Sequence, residues 1–156
     1  MKTRKIIIGL FVLCLIVFLF LVWPRQVNLV LKGIEYIQLN TSVADSISIK
    51  IDGQINNKFL GKREFNGRIY CDAINLNGEY FNLIFDDSNK AYLSITQKSG
   101  EAINYGEIFA NKNMDELVIV KGDDILVFPS KNREVAEKIA NKYFSIEYNN
   151  HFNNTN

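Results

Sequence analysis

Residues 46–52 read Ser-Ile-Ser-Ile-Lys-Ile-Asp, an unbroken alternation of apolar and polar side chains. Successive side chains of a β-strand point to opposite faces, so the three isoleucines share one face. The period of two therefore predicts a strand with one face buried. Ile55 keeps the same register beyond Gly53, and this glycine predicts a bend or bulge inside one long strand.

Segments of similar character flank this strand. Residues 25–39 are rich in apolar and aromatic side chains and predict one or two strands. Further along, Gly61 and Gly67 predict turns. Residues 75–78 predict another turn, in which Asn77-Gly78 favours the tight type that closes a β-hairpin. Additional strands are predicted over residues 68–73, 80–85, 91–97 and 105–110. Short strands at this spacing are typical of an antiparallel meander.

Two later strands, residues 117–121 and 125–128, have continuous apolar runs, which indicate that both of their faces are covered. The predicted cover is a helix over residues 132–147, which Ser130 or Asn132 can cap and whose apolar side chains recur at helical spacing. We therefore expect an α+β domain. Its mainly antiparallel sheet is curled into a half-barrel or sandwich, with one C-terminal helix packed on it.

An uncharged apolar segment, Ile6–Trp23, directly follows the basic residues Lys2, Arg4 and Lys5. As a helix it would be about 27 Å long, close to the roughly 30 Å of a bilayer's hydrocarbon core. We expect a transmembrane helix that contacts the lipid bilayer through Ile6–Val22. A cleaved signal peptide fits less well, because its apolar core is shorter and ends at a small-residue cleavage site.

The basic residues also predict the orientation of the chain. By the positive-inside rule, residues 1–5 are cytoplasmic and residues 25–148 form an extracytoplasmic β-rich domain at the cell surface. Lys5, Trp23 and Arg25 are expected at the membrane interface. The Asn-rich residues 149–156 are predicted to be a disordered tail.

Charge and cysteine content exclude several classes of protein. The chain has 18 basic and 17 acidic residues, and it lacks the basic excess of a nucleic-acid binder. With Cys14 inside the apolar segment, Cys71 is the only thiol of the outer domain, so no internal disulfide is expected there. A small buried strand residue is the expected role of Cys71. The one histidine, His151, lies in the polar tail and offers Cys71 no catalytic partner.

No motif for nucleophilic, metal-dependent or phosphate-transfer catalysis occurs in the sequence, so no enzyme activity, cofactor or metal is predicted. The paired acids Asp86-Asp87, Asp115-Glu116 and Asp123-Asp124 fall at predicted strand ends. Aspartate is favoured there because it hydrogen-bonds to nearby main-chain groups, so turn roles are expected.

One basic cluster follows the membrane segment, interleaved with apolar side chains: Lys58, Lys62, Arg63 and Arg68. Two interpretations are open. The cluster is either a solvated loop with a few apolar anchors, or a loop that contacts anionic lipid headgroups or wall polymers.

Several short motifs occur in a characteristic order: K-I-D-G at residues 50–53, G-K-R-E-F-N-G at 61–67, Y-G-E-I at 105–108, F-P at 128–129 and N-R-E at 132–134. In this order the chain resembles small, uncharacterised single-pass membrane proteins of Bacillus-like Gram-positive bacteria, over most of residues 25–145. The resemblance implies a membrane-anchored bacterial protein and supplies neither an activity nor site residues.

The function expected from the sequence is that of a membrane-anchored extracytoplasmic binding or interaction module. Its partner would be another envelope protein, an anionic polymer or a small ligand. Two alternatives are a structural subunit of a cell-envelope assembly and an envelope hydrolase. A pocket with clustered polar groups would favour ligand binding.

Overall fold

The computed structural model describes residues 9–13, 23–37, 44–57, 62–96 and 100–153. These residues form eight strands: β1 (Arg25–Ile37), β2 (Ala44–Asn57), β3 (Arg63–Cys71), β4 (Leu76–Phe85), β5 (Lys90–Thr96), β6 (Ala102–Ala110), β7 (Leu117–Lys121) and β8 (Asp124–Phe128). A short 3₁₀ helix (Asp72–Ile74) joins β3 to β4, and the α-helix α1 (Arg133–Asn153) follows β8.

All eight strands belong to one antiparallel sheet in the order β4-β3-β2-β1-β8-β7-β6-β5. The first and last strands of the chain, β1 and β8, are therefore neighbours in the middle of the sheet. Its two end strands, β4 and β5, are consecutive along the chain. At the turn between them the Asp86 N–H donates to the Lys90 carbonyl over 2.9 Å. The sheet thereby curls into a nearly closed barrel.

The antiparallel sheet and the C-terminal helix are confirmed, but the sheet is more closed than a half-barrel and does not divide into the two layers of a sandwich. The physical reason is that every strand contributes apolar side chains to one common interior. The buried members of this interior are Val27, Ile49, Ile51, Ile55, Phe65, Ile69, Cys71, Ile74, Leu76, Phe81, Leu83, Phe85, Ala91, Leu93, Ile108, Ala110, Met114, Leu117, Ile119, Leu126 and Phe128. The predicted alternation of β2 is confirmed, with Ile49 and Ile51 fully buried.

A second apolar core lies outside the barrel wall, where α1 covers β1, β7 and β8. Its buried side chains are Ile34, Tyr36, Phe109, Val118, Ile125, Val127, Ala136, Ala140 and Tyr143. The prediction that β7 and β8 are covered on both faces is confirmed, because their alternate residues belong to different cores. Asn132 is the helix cap: its side-chain oxygen accepts a hydrogen bond from the Val135 N–H over 3.0 Å.

Glu116 fixes the helix to the loop that precedes β7. Its Oε1 atom accepts a hydrogen bond from the Tyr143 hydroxyl over 2.9 Å and forms an ion pair with Lys142 over 2.5 Å. Burial, followed by the hydrogen bond to Glu116, raises the pKa of Tyr143 above its ordinary value. The hydroxyl therefore stays protonated at neutral pH and keeps its donor role.

The helix continues beyond its predicted end. Its main chain is helical to Asn153, past the predicted end at residue 147, and the disordered tail over residues 149–156 stays a prediction. No Gly or Pro occurs after Pro129, and nothing in the local sequence therefore stops the helix. Residues 154–156 lie outside the described residues.

Gly53 and Gly67 face each other on β2 and β3 within an unbroken register. The long strand predicted through Gly53 is therefore confirmed, but Gly53 forms no bulge, and the turn predicted at Gly67 is wrong. Both glycines serve close packing instead. A Cβ atom added to Gly67 would lie 2.6 Å from the Gly53 Cα atom and 2.7 Å from the ring of Phe65, which is fully buried. Glycine serves turns and close contacts alike, so the sequence does not separate the two.

The turn predicted over residues 75–78 includes Asn75, which does lie in the observed turn, but the tight hairpin turn at Asn77-Gly78 is wrong. The chain reverses earlier, through the 3₁₀ helix and Asn75, which adopts a left-handed conformation with φ 59°. Gly78 lies inside β4 with φ 95°, at a register shift relative to β3. The ring of Tyr70 packs over it, in space that a Cβ atom would occupy. The glycine thus provides a β-bulge.

The predicted membrane segment falls largely outside the described residues. Residues 9–13 are helical, and Leu10, Phe11 and Leu13 are each more than half exposed. Among the helices that the structure describes, none combines the length and the apolar character needed to cross a membrane.

Replacing Gly67 tests the close packing of β2 on β3. Gly67→Ala is expected to lower the free energy of unfolding by about 1–3 kcal/mol, because the added methyl group meets the main chain of β2. Urea denaturation of the full chain measures the loss. Gly9→Ala is the control, since a Cβ atom there has no atom within 4 Å. A Gly67→Ala variant as stable as the wild type would contradict this packing.

Candidate functional site

A polar cavity of about 330 Å³ opens at the end of the barrel where β1 begins, and we call it the mouth cavity. Its lining combines cationic, amide, acidic and apolar side chains: Arg25, Ile55, Asn57, Arg63, Phe85, Asp86, Asn89 and Lys112. The cavity therefore joins groups that are far apart in the sequence.

Strand register explains why these residues meet. Arg25 pairs with Ile55 across β1 and β2, and Arg63 pairs with both Asn57 and Phe85 on its two neighbouring strands. The start of β1, the end of β2, the start of β3 and the end of β4 thus lie side by side. The turn between β4 and β5 and the loop after β6 complete the rim, so the barrel ends at this cavity.

Arg63 is the best-fixed member of the site, with 6% of its surface exposed. Its guanidinium donates hydrogen bonds to the main-chain carbonyls of Asn111 and, over 2.7 Å, of Ala110. It also lies over the ring of Phe85, with 4.2 Å from Cζ to the ring centroid. Burial lowers its pKa to about 10, so the group remains charged at neutral pH.

The mouth cavity has an excess of positive charge. Arg25, Arg63 and Lys112 are cationic, whereas Asp86 is the single carboxylate among the described residues of the lining. Asp86 is also engaged locally, because its Oδ1 atom accepts hydrogen bonds from the N–H groups of Ser88 and Lys90, both over 2.9 Å. The predicted turn role of the Asp86-Asp87 pair is thereby confirmed for Asp86.

Within the predicted basic cluster, the structure places Arg63 and Arg68 apart. Lys58 lies outside the described residues, and Lys62 is exposed just before β3. Arg63 and Arg68 are five positions apart on one strand and therefore point to opposite faces. Arg63 is buried at the mouth and Arg68 is exposed on the outer wall, so the interpretation of both as parts of one solvated loop is wrong.

Of the predicted interface residues, Lys5 lies outside the described residues. Trp23 is 68% exposed, and Arg25 is exposed at the rim of the mouth cavity. The sequence did not predict that Arg25 and Arg63 share a cavity. It also missed Asn57, Asn89 and Lys112, because only the strand register reveals which ends meet.

Two side chains outside the mouth cavity that carry reactive groups, Cys71 and Asp115, have structural roles. Cys71 is a free, buried thiol whose pKa is raised by burial, as expected for a small interior residue. Asp115 accepts a hydrogen bond from the Asn111 side chain over 2.5 Å. Across the described ranges, no group of three or more Asp, Glu, His or Cys side chains is arranged to hold a metal ion.

Comparison with known proteins gives no match: no protein-family model, no curated protein and no solved structure is similar to the chain. The similarity to single-pass proteins of Bacillus-like bacteria therefore stays a prediction.

Arg63 is expected to hold the mouth of the barrel together. Arg63→Met should lower the free energy of unfolding by about 1–3 kcal/mol, because one buried and one partly buried carbonyl lose their hydrogen-bond donor. Chemical denaturation checks this. The matched change on the outer wall, Arg68→Met, should stay within about 0.5 kcal/mol of the wild type. Equal stability of the two variants would show that the Arg63 hydrogen bonds do not stabilise the fold.

Proposed function

We propose that the chain is a membrane-anchored extracytoplasmic binding module whose mouth cavity receives a phosphate group. The observation that carries the proposal is the convergence of Arg25, Arg63 and Lys112 on one small cavity, to whose lining the described part of the chain contributes a single carboxylate.

The donors of the cavity suit a phosphate. Guanidinium and ammonium groups bind phosphate oxygens through charge-assisted hydrogen bonds, and amide side chains add neutral donors. Since the guanidinium of Arg63 is bonded to two carbonyls, Arg25 and Lys112 are the cations that a ligand would contact first. The amides of Asn57 and Asn89 line the same space. A volume of about 330 Å³ suits one headgroup-sized group rather than a bulky ligand.

Several observations support the membrane anchor. Ile6–Val22 is long and apolar enough to span a bilayer as a helix. Leu10, Phe11 and Trp23 are large, exposed apolar side chains that the barrel does not cover. Such side chains are costly in water and stable in lipid. Pro24 is the only residue between Trp23 and the first strand, so an anchored barrel would sit close to the membrane.

The position of the cavity suggests two sources of phosphate. Because Arg25 lines the cavity and opens β1, the mouth is at the end of the barrel where the chain arrives from the apolar segment. A membrane-anchored barrel would therefore direct its mouth toward anionic lipid headgroups. A phosphate carried by a soluble envelope component offers the same chemistry.

Binding is tested on the full chain reconstituted in lipid nanodiscs. Phosphatidylglycerol in place of part of the phosphatidylcholine should raise the unfolding temperature by a few degrees if the ligand is a headgroup. If the source is soluble, glycerol phosphate added to pure phosphatidylcholine discs should do the same. In either case the gain should disappear at high salt, which screens exposed charges.

A matched pair of double variants distinguishes binding in the mouth cavity from a general effect of positive surface charge. Arg25→Gln with Lys112→Gln removes two cations from the mouth and should abolish the gain in unfolding temperature. Arg68→Gln with Lys50→Gln removes the same charge from the outer wall and should preserve the gain. If neither phosphate source stabilises the wild type, or if both double variants respond alike, the proposal fails.

The orientation of the chain has its own test. A protease added to intact cells should digest the domain from Arg25 onward while the cytoplasmic N-terminus is protected. Blotting for tags at the two ends measures this, with a cytoplasmic protein as the control for cell integrity. If the protease leaves the domain uncut on intact cells and digests it only after the cells are lysed, the proposed placement is wrong.

A further inference from the structure

Four amide side chains form a row across the outer wall of the barrel. Gln26 on β1 pairs with Gln54 on β2, Gln54 with Asn66 on β3, and Asn66 with Asn82 on β4. Each pair is directly opposite in an antiparallel register, so all four side chains share the outer face. With strands about 4.8 Å apart, the row extends over about 14 Å. That length suits an extended segment of a polymer.

The row borders a shallow depression of about 320 Å³ on the outer wall, which we call the outer depression. Its floor is the main chain of Gly53 and Gly67. The next row along the strands adds Asp52, Arg68 and Tyr80 to its lining. Asp52 and Arg68 are directly paired, so the charged lining has one group of each sign. Tyr80 is 63% exposed and offers a flat aromatic surface at one side.

Most of these amide side chains make no hydrogen bond to another residue that the structure describes. Asn82 donates to Glu64 Oε1 over 2.9 Å, whereas Gln26, Gln54 and Asn66 make no side-chain hydrogen bond to any described residue. Each amide offers two donor hydrogens and an acceptor oxygen. The middle of the row is therefore a set of unused donors and acceptors at a spacing fixed by the sheet.

We propose that the outer depression binds a polysaccharide whose sugars carry acetamido groups. An acetamido group presents one donor and one acceptor, which complement the side-chain amides of Gln54 and Asn66. The apolar C–H face of a sugar ring can pack on Tyr80, and its hydroxyls can reach the neighbouring amides. The balanced charge disfavours a nucleic acid or another highly charged polymer, and the polar lining disfavours an apolar peptide.

The sheet presents this surface without reorganisation. Register is unbroken across the paired rows on β1, β2, β3 and β4, so their spacing is set by main-chain hydrogen bonds. A preorganised surface loses little conformational entropy on binding. The site is separate from the mouth cavity and does not rest on the function proposed for it.

Isothermal titration of the full chain tests the proposal, in a detergent that has no sugar headgroup. The probes are chitohexaose, a soluble oligomer of N-acetylglucosamine, and cellohexaose, which has a hydroxyl in place of each acetamido group. Chitohexaose is expected to bind about tenfold more tightly, because the amides lose partners on cellohexaose. Absence of chitohexaose binding at millimolar concentration, or equal binding of the two oligomers, would overturn the proposal.

Variants locate the site. Gln54→Ala with Asn66→Ala, and separately Tyr80→Ala, should each weaken chitohexaose binding about tenfold. Tyr92→Ala is the matched control, because Tyr92 is 60% exposed on β5, outside the outer depression, and should leave binding unchanged. Far-UV circular dichroism confirms that each variant is folded. Unchanged binding by the folded Tyr80→Ala and amide variants would also refute the assignment.

Discussion

Side chains on a strand alternate between two faces, and a curled sheet must fill the face that it encloses. This constraint assigns every strand residue of the barrel to the interior or to the wall. It sends Arg63 inward, against Phe85 and two carbonyls, and leaves Arg68 outside. It also aligns Gln54 and Asn66 on the outer surface. Both proposed binding sites are thus consequences of strand parity and register.

Helix α1 covers one part of the outer wall and leaves the other part exposed. α1 packs on β1, β7 and β8, and the side chains there are as apolar as those of the interior. The outer faces of β2, β3 and β4 carry amides and charges. Glu116 sets one boundary of the covered part, because it accepts from Tyr143 and pairs with Lys142. The polar wall is available to a ligand because the helix packs elsewhere.

The sequence predicts the parts of the fold that depend on local periodicity. The alternation of Ile47, Ile49 and Ile51, the doubly covered β7 and β8, and the C-terminal helix all follow from spacing along the chain. Closure of the barrel depends on which strands pair at long range, which no local pattern specifies. The predicted roles of Gly67 and Gly78 were wrong for the same reason, since the contacts that require glycine there are made with a neighbouring strand, β2 for Gly67 and β3 for Gly78.

Prediction of the mouth cavity was limited in the same way. The sequence marks Arg25 as a membrane-interface residue and Arg63 as a contact to anionic lipid headgroups or wall polymers, and nothing in it places the two together. Lys112 lies in a loop with no distinguishing pattern. Cys71 was predicted correctly because a lone small residue in an apolar strand has few other roles.

Pairing of β1 with β8 also bears on how the protein is made. Ile34 lies opposite Val127, so the first strand meets its second neighbour only after nearly the whole domain has been synthesised. Until then one edge of β1 is exposed on the nascent chain. High contact order slows folding, and unpaired edges favour aggregation. Production of this domain should therefore depend on the time the nascent chain spends with chaperones.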